Sequence, residues 1–245
     1  MERVKANRPA PGDEGVTETS SLSEFKERIL ARSPFGGIVG AGREGLLELG
    51  RFERFERKQR LVQQGDPPRS VHLLGAGRVK LERVGKGRAF VIGHRGPGEL
   101  VGEAALAGLA AASEHVIVVD EVEALSFPVA GLRRLLGSDA ALRLAVTRVL
   151  VARQLEAETR LTSLLLHGVE ARLIEFLTGA VERWGEPHPA GQVISAPFTH
   201  ADIALLIGST RETVTLLLGR LKRAGLIDFE RRRIVIQDAA GLGRR

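Results

Sequence analysis

The stretch that most constrains the fold of this chain is residues 198–223, FTHADIALLIGSTRETVTLLLGRLKR. Apolar residues recur at three- and four-residue spacing on both sides of Gly208, which predicts two short helices joined by a tight turn. Each predicted helix begins with a capping signal, a hydroxyl residue followed three positions later by an acidic one. The two signals are Thr199 with Asp202 and Ser209 with Glu212. The stretch therefore predicts a helix-turn-helix.

The second of these helices has two different faces. One is an apolar stripe that predicts burial, made of Val214, Leu217, Leu218 and Leu221. The other face is polar in its first turns, where a recognition helix in the major groove presents side chains to base edges. The candidates for this role are Arg211, Glu212 and Thr215. An ordinary helical hairpin inside a core, with Arg211 and Glu212 as solvated charges, is the alternative.

Residues 227–238, IDFERRRIVIQD, follow as two short β-type runs around a charged turn. A hairpin directly after a helix-turn-helix predicts a winged helix. Cations at the helix end and at the wing tip are placed to meet phosphates rather than bases. The candidate phosphate contacts are His200, Ser209, Thr210, Arg220, Lys222, Arg223, Arg231, Arg232 and Arg233.

Composition limits the other possibilities. The 245 residues are 43% hydrophobic and contain no cysteine, which predicts one or two globular domains without disulfides or cysteine-ligated metals. A formal net charge of +6 suits a polyanionic partner, although it would equally suit a membrane surface. Because neither a signal-peptide pattern nor an apolar run of transmembrane length occurs, we expect a cytoplasmic protein with no membrane contact.

The N-terminal half changes its periodicity along the chain. Residues 1–22 are rich in proline, glycine and charge, which predicts a disordered tail. A short helix is expected from Ser21 or Ser23 to Ser33-Pro34, and a second around residues 42–49. Short β-branched runs punctuated by glycine then extend to Pro128 and predict an antiparallel roll or sandwich. We assign residues 23–131 to this domain.

Residues 132–167 predict one long helix, which needs a partner because its length exceeds that of the usual globular helix. Apolar residues recur every seven positions, which fits a two-stranded parallel contact with a second copy of the chain. The predicted contact residues are Leu150, Gln154, Ala157, Leu161 and Leu164. Since Thr147 and Gln154 are polar, packing of this helix on its own β-domain alone is the alternative. Residues 168–245 would form the DNA-binding domain.

From about residue 30 to 238, the order of elements resembles the CRP/FNR superfamily of transcription regulators. The motifs that carry the resemblance are LVQQGD, GELVGE and STRETV. The resemblance implies an α+β fold: an N-terminal antiparallel β-roll of the cyclic-nucleotide-binding type, a long dimerisation helix and a C-terminal winged helix-turn-helix domain. It also implies a homodimer that presents two recognition helices to a palindromic site in double-stranded DNA, with RNA polymerase as a partner.

The departures from the family pattern concern the effector. Members that bind cAMP hold its phosphate with an Arg-Ser pair, where this chain has Ala112 and Ser113, and no lysine or arginine occurs from Ala104 to Leu132. The positions that resemble the adenine-contacting pair are Ala157 and Glu158. We therefore expect no cofactor and no cAMP dependence. Either the roll binds another, less anionic effector, or it holds the long helices permanently in the DNA-competent arrangement.

If an effector pocket is open, the resemblance places it at Gly98, Glu99, Gly102, Glu103 and Ser113. On the recognition helix, Leu216 stands where the best-known cAMP-responsive pattern has an arginine, so it can offer only an apolar base contact. No pair among the six histidines shows the short spacing of a metal site, and no nucleophile-base constellation indicates an enzyme.

Two classes of function remain. The first is a sequence-specific transcription regulator that binds a palindromic site as a homodimer. The second is an effector-sensing or protein-interaction module that uses the β-roll, with DNA binding secondary.

Overall fold

The computed structural model describes residues 14–85, 87–196, 198–231 and 233–243. Helix α1 spans Glu14–Ala31 and α2 spans Gly40–Leu49. Helix α1 thus begins before the predicted start at Ser21 or Ser23, and residues 14–22 of the predicted disordered tail are helical. Because no glycine or proline stands between Val16 and Ala31, the helix can propagate backwards from its amphipathic part. Residues 1–13 of the predicted tail lie outside the described residues.

The β-domain is built from eight short strands, which confirms the predicted roll. They are β1 Arg51–Phe55, β2 Arg60–Val62, β3 Ser70–Ala76, β4 Val79–Gly85, β5 Arg88–Arg95, β6 Leu100–Val101, β7 His115–Val118 and β8 Val122–Pro128. They form two antiparallel sheets, of order β1-β8-β3-β6 and β2-β7-β4-β5. The β4–β5 hairpin turns between Gly85 and Arg88, where the glycine-rich run predicts a turn.

The core of the roll lies between the two sheets. Along β4 the burial alternates, with Val79 and Leu81 buried and Lys80 and Glu82 partly exposed, as expected for a strand with one face inside. The core residues are Leu74, Val79, Leu81, Val101, Val116, Val118, Val122 and Ala124. A second apolar cluster joins the β1-β8-β3-β6 sheet to the helices that cover it.

The predicted long helix is divided into two. Helix α3 spans Val129–Ser138 and α4 spans Ala140–Leu166. The division lies at Asp139, whose backbone is extended. Its side chain caps α4, because Oδ1 accepts a hydrogen bond from the Leu142 amide at 2.9 Å. Residues 132–138 therefore belong to the β-domain, and the long helix begins at Ala140.

The C-terminal domain contains the predicted winged helix-turn-helix. Its elements are α5 Val169–Trp184, β9 Gly185–His188, β10 Gly191–Ile194, α6 His200–Leu206, α7 Arg211–Arg223, β11 Ile227–Glu230, β12 Arg233–Ile236 and α8 Ala239–Gly243. The strands form one antiparallel sheet of order β11-β12-β10-β9. The connector before the helix-turn-helix thus supplies two strands rather than the single strand that its sequence predicts. Among the described residues, no helix is long and apolar enough to cross a membrane.

Candidate nucleic-acid interface and nucleotide-type pocket

Helices α6 and α7 form the predicted helix-turn-helix. The Thr199–Asp202 capping box is present: the Asp202 amide donates to Thr199 Oγ1, and the Thr199 amide donates to Asp202 Oδ2. In the turn, Gly208 has φ of +62°, and a Cβ atom there would lie 2.7 Å from Leu164 of α4. The positive φ favours glycine at this position, and the leucine side chain packs directly over it.

The cap of α7 differs from the prediction. Thr210, not Ser209, is the N-cap residue, and its hydroxyl accepts a hydrogen bond from the Thr213 amide at 3.2 Å. Both positions offer a hydroxyl, so the choice depends on where the turn after Gly208 allows the helix to begin. The predicted apolar stripe of α7 is buried in full: Val214, Leu217, Leu218 and Leu221 all lie in the domain core.

The opposite face of α7 is exposed over its first turns. Its four candidate base-reading residues are Arg211, Glu212, Thr215 and Leu216. Thr215 also has partners within the protein, because its Oγ1 donates to the Arg211 carbonyl at 2.8 Å and lies 2.8 Å from His200 Nδ1. Arg211, Glu212 and Leu216 are thus the freer members of the face. Their role in base reading stays a prediction.

The candidate phosphate contacts are distributed around this face. Arg220 and Arg223 are exposed near the end of α7, and Arg231 and Arg233 are exposed at the wing tip. Arg231 has φ of +45°, which is uncommon for a residue with a side chain and marks the tight turn of the wing. Arg232 lies outside the described residues. The wing tip therefore presents cations beside the recognition helix.

Three of the remaining candidates have partners within the protein. Lys222 Nζ lies 2.6 Å from Asp228 Oδ1, which partly neutralises the lysine. Thr210 serves as the cap of α7. His200 contacts Thr215, and its pKa is lowered by partial burial and by the nearby Arg211. A neutral imidazole is a weaker partner for a phosphate than a cation, and Ser209 is half-buried.

On the long helix, the face predicted to contact a second copy is exposed in the single chain. The contact residues Leu150, Gln154, Ala157, Leu161 and Leu164 are all exposed. Leu164 in addition approaches Gly208 of its own helix-turn-helix. The inward side of α4 is apolar in its first turns, where Leu142, Ala145 and Val146 are buried. Further along it is polar: Arg153 and Glu156 form ion pairs with the roll, and Arg160 donates to the Ile92 carbonyl.

The five candidate pocket residues do not form one pocket. Gly102 and Ser113 line a cavity of about 20 Å³, with an apolar wall that includes Ala105 and Val116. Gly98 and Glu99 lie at the other end of strand β6, where the Gly98 amide donates to the Leu74 carbonyl at 2.7 Å. Strand β6 thus separates Gly98 and Glu99 from Gly102 and Ser113. The closeness of these residues in the sequence did not predict this separation.

Glu103, the fifth candidate, is buried and already has a cationic partner. Its carboxylate forms an ion pair with Arg153 of α4, which also donates to the Leu100 carbonyl. Burial lowers the pKa of Arg153 to about 10, so the guanidinium stays protonated at neutral pH. Sequence reasoning missed Arg153. The signal was the spacing of Arg153, Glu156 and Arg160 along one face of the helix.

Around Ser113 the structure shows a second residue that sequence reasoning missed. Arg83 of β4 donates from Nε to the Ser113 carbonyl at 3.2 Å and lies 3.7 Å from Glu114. Ala112 is held by two backbone hydrogen bonds to the LVQQGD loop, to Gly65 and Asp66. A cation thus approaches the loop from a neighbouring strand, although it does not line the cavity of about 20 Å³.

The β-roll, the long helix and the winged helix-turn-helix together define a DNA-binding regulator with an effector-type domain. Two family models match: a cyclic nucleotide-binding domain over residues 52–139 and a Crp-like helix-turn-helix domain over residues 171–245. The chain is 30% identical over 200 residues to the global nitrogen regulator of Nostoc sp., covering 78% of this chain and 87% of that protein. It therefore belongs to the CRP/FNR superfamily and is a DNA-binding transcription regulator.

Two further similarities agree with this assignment. The CRP-like cAMP-activated global transcriptional regulator of Mycobacterium tuberculosis is 25% identical over 221 residues, covering 89% of this chain and 99% of that one. A CRP/FNR-family regulator from Thermus thermophilus has a similar structure, with a TM-score of 0.66 and 26% identity, covering 79% of this chain and 97% of that chain.

Proposed function

We propose that this regulator binds a two-fold symmetric DNA site as a homodimer and does so without cAMP. The observation that carries the proposal is the presence of two exposed surfaces on the chain. One is the polar face of α7, and the other is the apolar side of α4.

The apolar side of α4 supports the dimer. Leucines along it are unusually exposed for their type, with Leu150 at 43% and Leu161 at 58%. Covering apolar surface contributes about 25 cal/mol per Å², so this helix is stabilised when a second copy lies against it. The alternative, in which α4 packs only on its own β-domain, uses the other face, which carries Arg153, Glu156 and Arg160. The two contacts are therefore compatible.

Two features of the roll support independence from cAMP. The cavity beside Gly102 and Ser113, of about 20 Å³, has room for about one water molecule, whereas ligand pockets span roughly 300–1,000 Å³. Glu103 is already paired with Arg153. A roll without an open pocket favours the alternative in which the roll binds no effector and holds the long helices permanently in the DNA-competent arrangement.

We further expect RNA polymerase as a partner and the cytoplasm as the location, since a bacterial-type transcription regulator acts where its DNA and the polymerase are found. The relatives are regulators rather than enzymes, and we propose no enzymatic activity. A role of the roll as an interaction module with DNA binding secondary is less favoured, because the candidate base-reading residues of α7 are all exposed.

Selection of preferred sequences from random duplexes, with and without cAMP and cGMP, tests the proposal. We expect an inverted repeat with half-sites about one helical turn (~34 Å) apart, selected equally well without nucleotide. Sedimentation of the free protein should give the mass of two chains. Selection of a single unpaired half-site by a monomer would refute the dimer, and selection only with nucleotide would refute independence.

A further inference from the structure

A larger cavity, of about 450 Å³, lies where the roll, the long helix and the DNA-binding domain meet. It is separate from the small cavity in the roll and lies in the size range of small-molecule sites. Its walls come from β5, α4, α5 and α6, through residues that include Gly93, Arg160, Gly179 and Leu206.

The apolar part of this cavity is made largely of aromatic rings. Phe198 packs edge-to-face against Phe176, with centroids 5.0 Å apart, and lies 5.2 Å from the ring of Trp184. His94 packs on Phe198 at 4.6 Å. Burial lowers the pKa of His94 to about 4, so this ring is neutral and adds a flat wall without charge. Flat rings of this kind stack on a planar ligand.

The charged part is an arginine corner. Arg160 and Arg183 both border the cavity, are about one-third exposed and share the carboxylate of Glu156. Arg95 also pairs with Glu156, and Glu99 pairs with Arg95 and Arg183. Arg160 and Arg183 nevertheless stay about one-third exposed at the cavity, so part of each guanidinium is open to it. An anion placed there would accept charge-assisted hydrogen bonds from both.

Arg172 and two other carboxylates also border the cavity. Glu175 is held by Ser163 and His167, and Glu182 is exposed on α5. We therefore propose that the junction cavity binds a small amphipathic acid, with a planar aromatic body against Phe176, Trp184 and Phe198 and a single anionic group at Arg160 and Arg183. This inference goes beyond the proposed function, and binding there does not depend on how the protein contacts DNA.

Trp184 makes the site measurable, because it is the only tryptophan in the chain. The probe is 1-anilinonaphthalene-8-sulfonate, which carries a planar aromatic body and one anionic group. With the full-length protein we expect one probe bound per chain at micromolar concentration, with quenching of Trp184 emission and energy transfer to the probe.

A matched pair of glycine variants locates the binding. Gly179 of α5 borders the cavity, and a Cβ atom there would meet nothing within 4 Å, so Gly179→Leu adds a side chain at the cavity wall. Gly137 of α3 is equally free of neighbours and lies outside the cavity wall, so Gly137→Leu is the control. We expect Gly179→Leu to weaken probe binding at least tenfold, and Gly137→Leu to leave it unchanged.

The charge preference is tested with uncharged N-phenyl-1-naphthylamine. The anionic probe should bind at least fivefold more tightly than the uncharged one, and Arg160→Gln should remove most of this difference while far-ultraviolet circular dichroism stays unchanged. The site would be overturned if the wild type and Gly179→Leu bound the anionic probe equally well, or if no energy were transferred from Trp184 to the bound probe. Tighter binding of the uncharged probe would overturn the anionic part of the assignment.

Discussion

Arg153 of the long helix forms an ion pair with Glu103 of the β-roll, and both side chains are largely buried. The pair joins the helix that carries the proposed dimer contact to the domain that resembles an effector domain. The resemblance to the family places Glu103 in an effector pocket, but here its carboxylate is already paired with Arg153. The same ion pair therefore stabilises the fold and leaves this carboxylate unavailable to an effector.

Removal of one partner should be costly, because it leaves the other charge buried and uncompensated. We expect Arg153→Met to lower the free energy of unfolding by about 3 kcal/mol. The double variant Arg153→Met with Glu103→Gln should recover a large part of that loss, as measured by urea unfolding at pH 7. Arg54→Gln, which breaks the exposed pair with Glu123, is the control and should change stability by less than about 1 kcal/mol. Strict additivity of the two single changes would show that the pair is not coupled.

The second prediction concerns cyclic nucleotides and Arg83. Affinity for the selected DNA site should be constant in titrations with cAMP and cGMP, since a ligand shifts an equilibrium only through different affinity for the two states. Fluorescence anisotropy of labelled DNA measures this. If cAMP instead raises affinity tenfold, or about 1.4 kcal/mol, and Arg83→Ala abolishes the effect, Arg83 is the cation that the expected motif lacks.

The third prediction concerns base reading by α7. Arg211 should be bidentate to a guanine and Glu212 should accept from a cytosine, so each half-site should contain one required G·C region. Arg211→Ala should relax selection at that position by about 1–3 kcal/mol, measured by competition between wild-type and substituted duplexes. An equal loss of affinity on every sequence would instead make Arg211 a phosphate contact.

The fourth prediction concerns the wing. Arg233→Ala should weaken binding to specific and random duplexes alike, because phosphate contacts carry no sequence information. Each lost phosphate contact should flatten the log–log salt slope by about 0.9, measured from about 50 to 200 mM salt. Glu230→Gln, at the neighbouring wing position, is the control for the hairpin. An unchanged slope would remove Arg233 from the DNA contacts.

The fifth prediction concerns acid stability. Burial lowers the pKa of His72 to about 4, and the imidazole Nδ1 lies 2.7 Å from Ser126 Oγ. Between pH 6.5 and 4 the unfolded chain binds a proton at this position that the folded chain does not, so His72 lowers stability by up to about 3 kcal/mol as the pH is lowered from 6.5 to 4. His94, whose pKa is also about 4, contributes in the same direction. His72→Asn should reduce this pH dependence in urea unfolding, although it removes packing against Phe55. An undiminished dependence would assign the effect to other groups.

The helix-turn-helix and the strands of the roll could be predicted because local signals determine them. The Thr199–Asp202 capping box and the buried stripe of α7 depend on residues three or four positions apart, and both are confirmed. The predicted start of α1 and the prediction of one continuous helix through Asp139 were wrong, because helix ends depend on propagation and capping more than on apolar periodicity. The prediction of Ser209 as the cap of α7 was wrong for the same reason, since the structure has Thr210 there.

Local sequence thus determined the class of this protein: its helix-turn-helix, its wing, its roll and the exposed side of its long helix. Only the tertiary structure decided which charges meet. Arg153 lies 50 positions after Glu103, and Arg183 reaches Glu99 across 84 positions, separations over which no local pattern acts. The junction cavity likewise exists only because β5, α4 and α5 come together, and its volume depends on packing between them rather than on any one of their sequences.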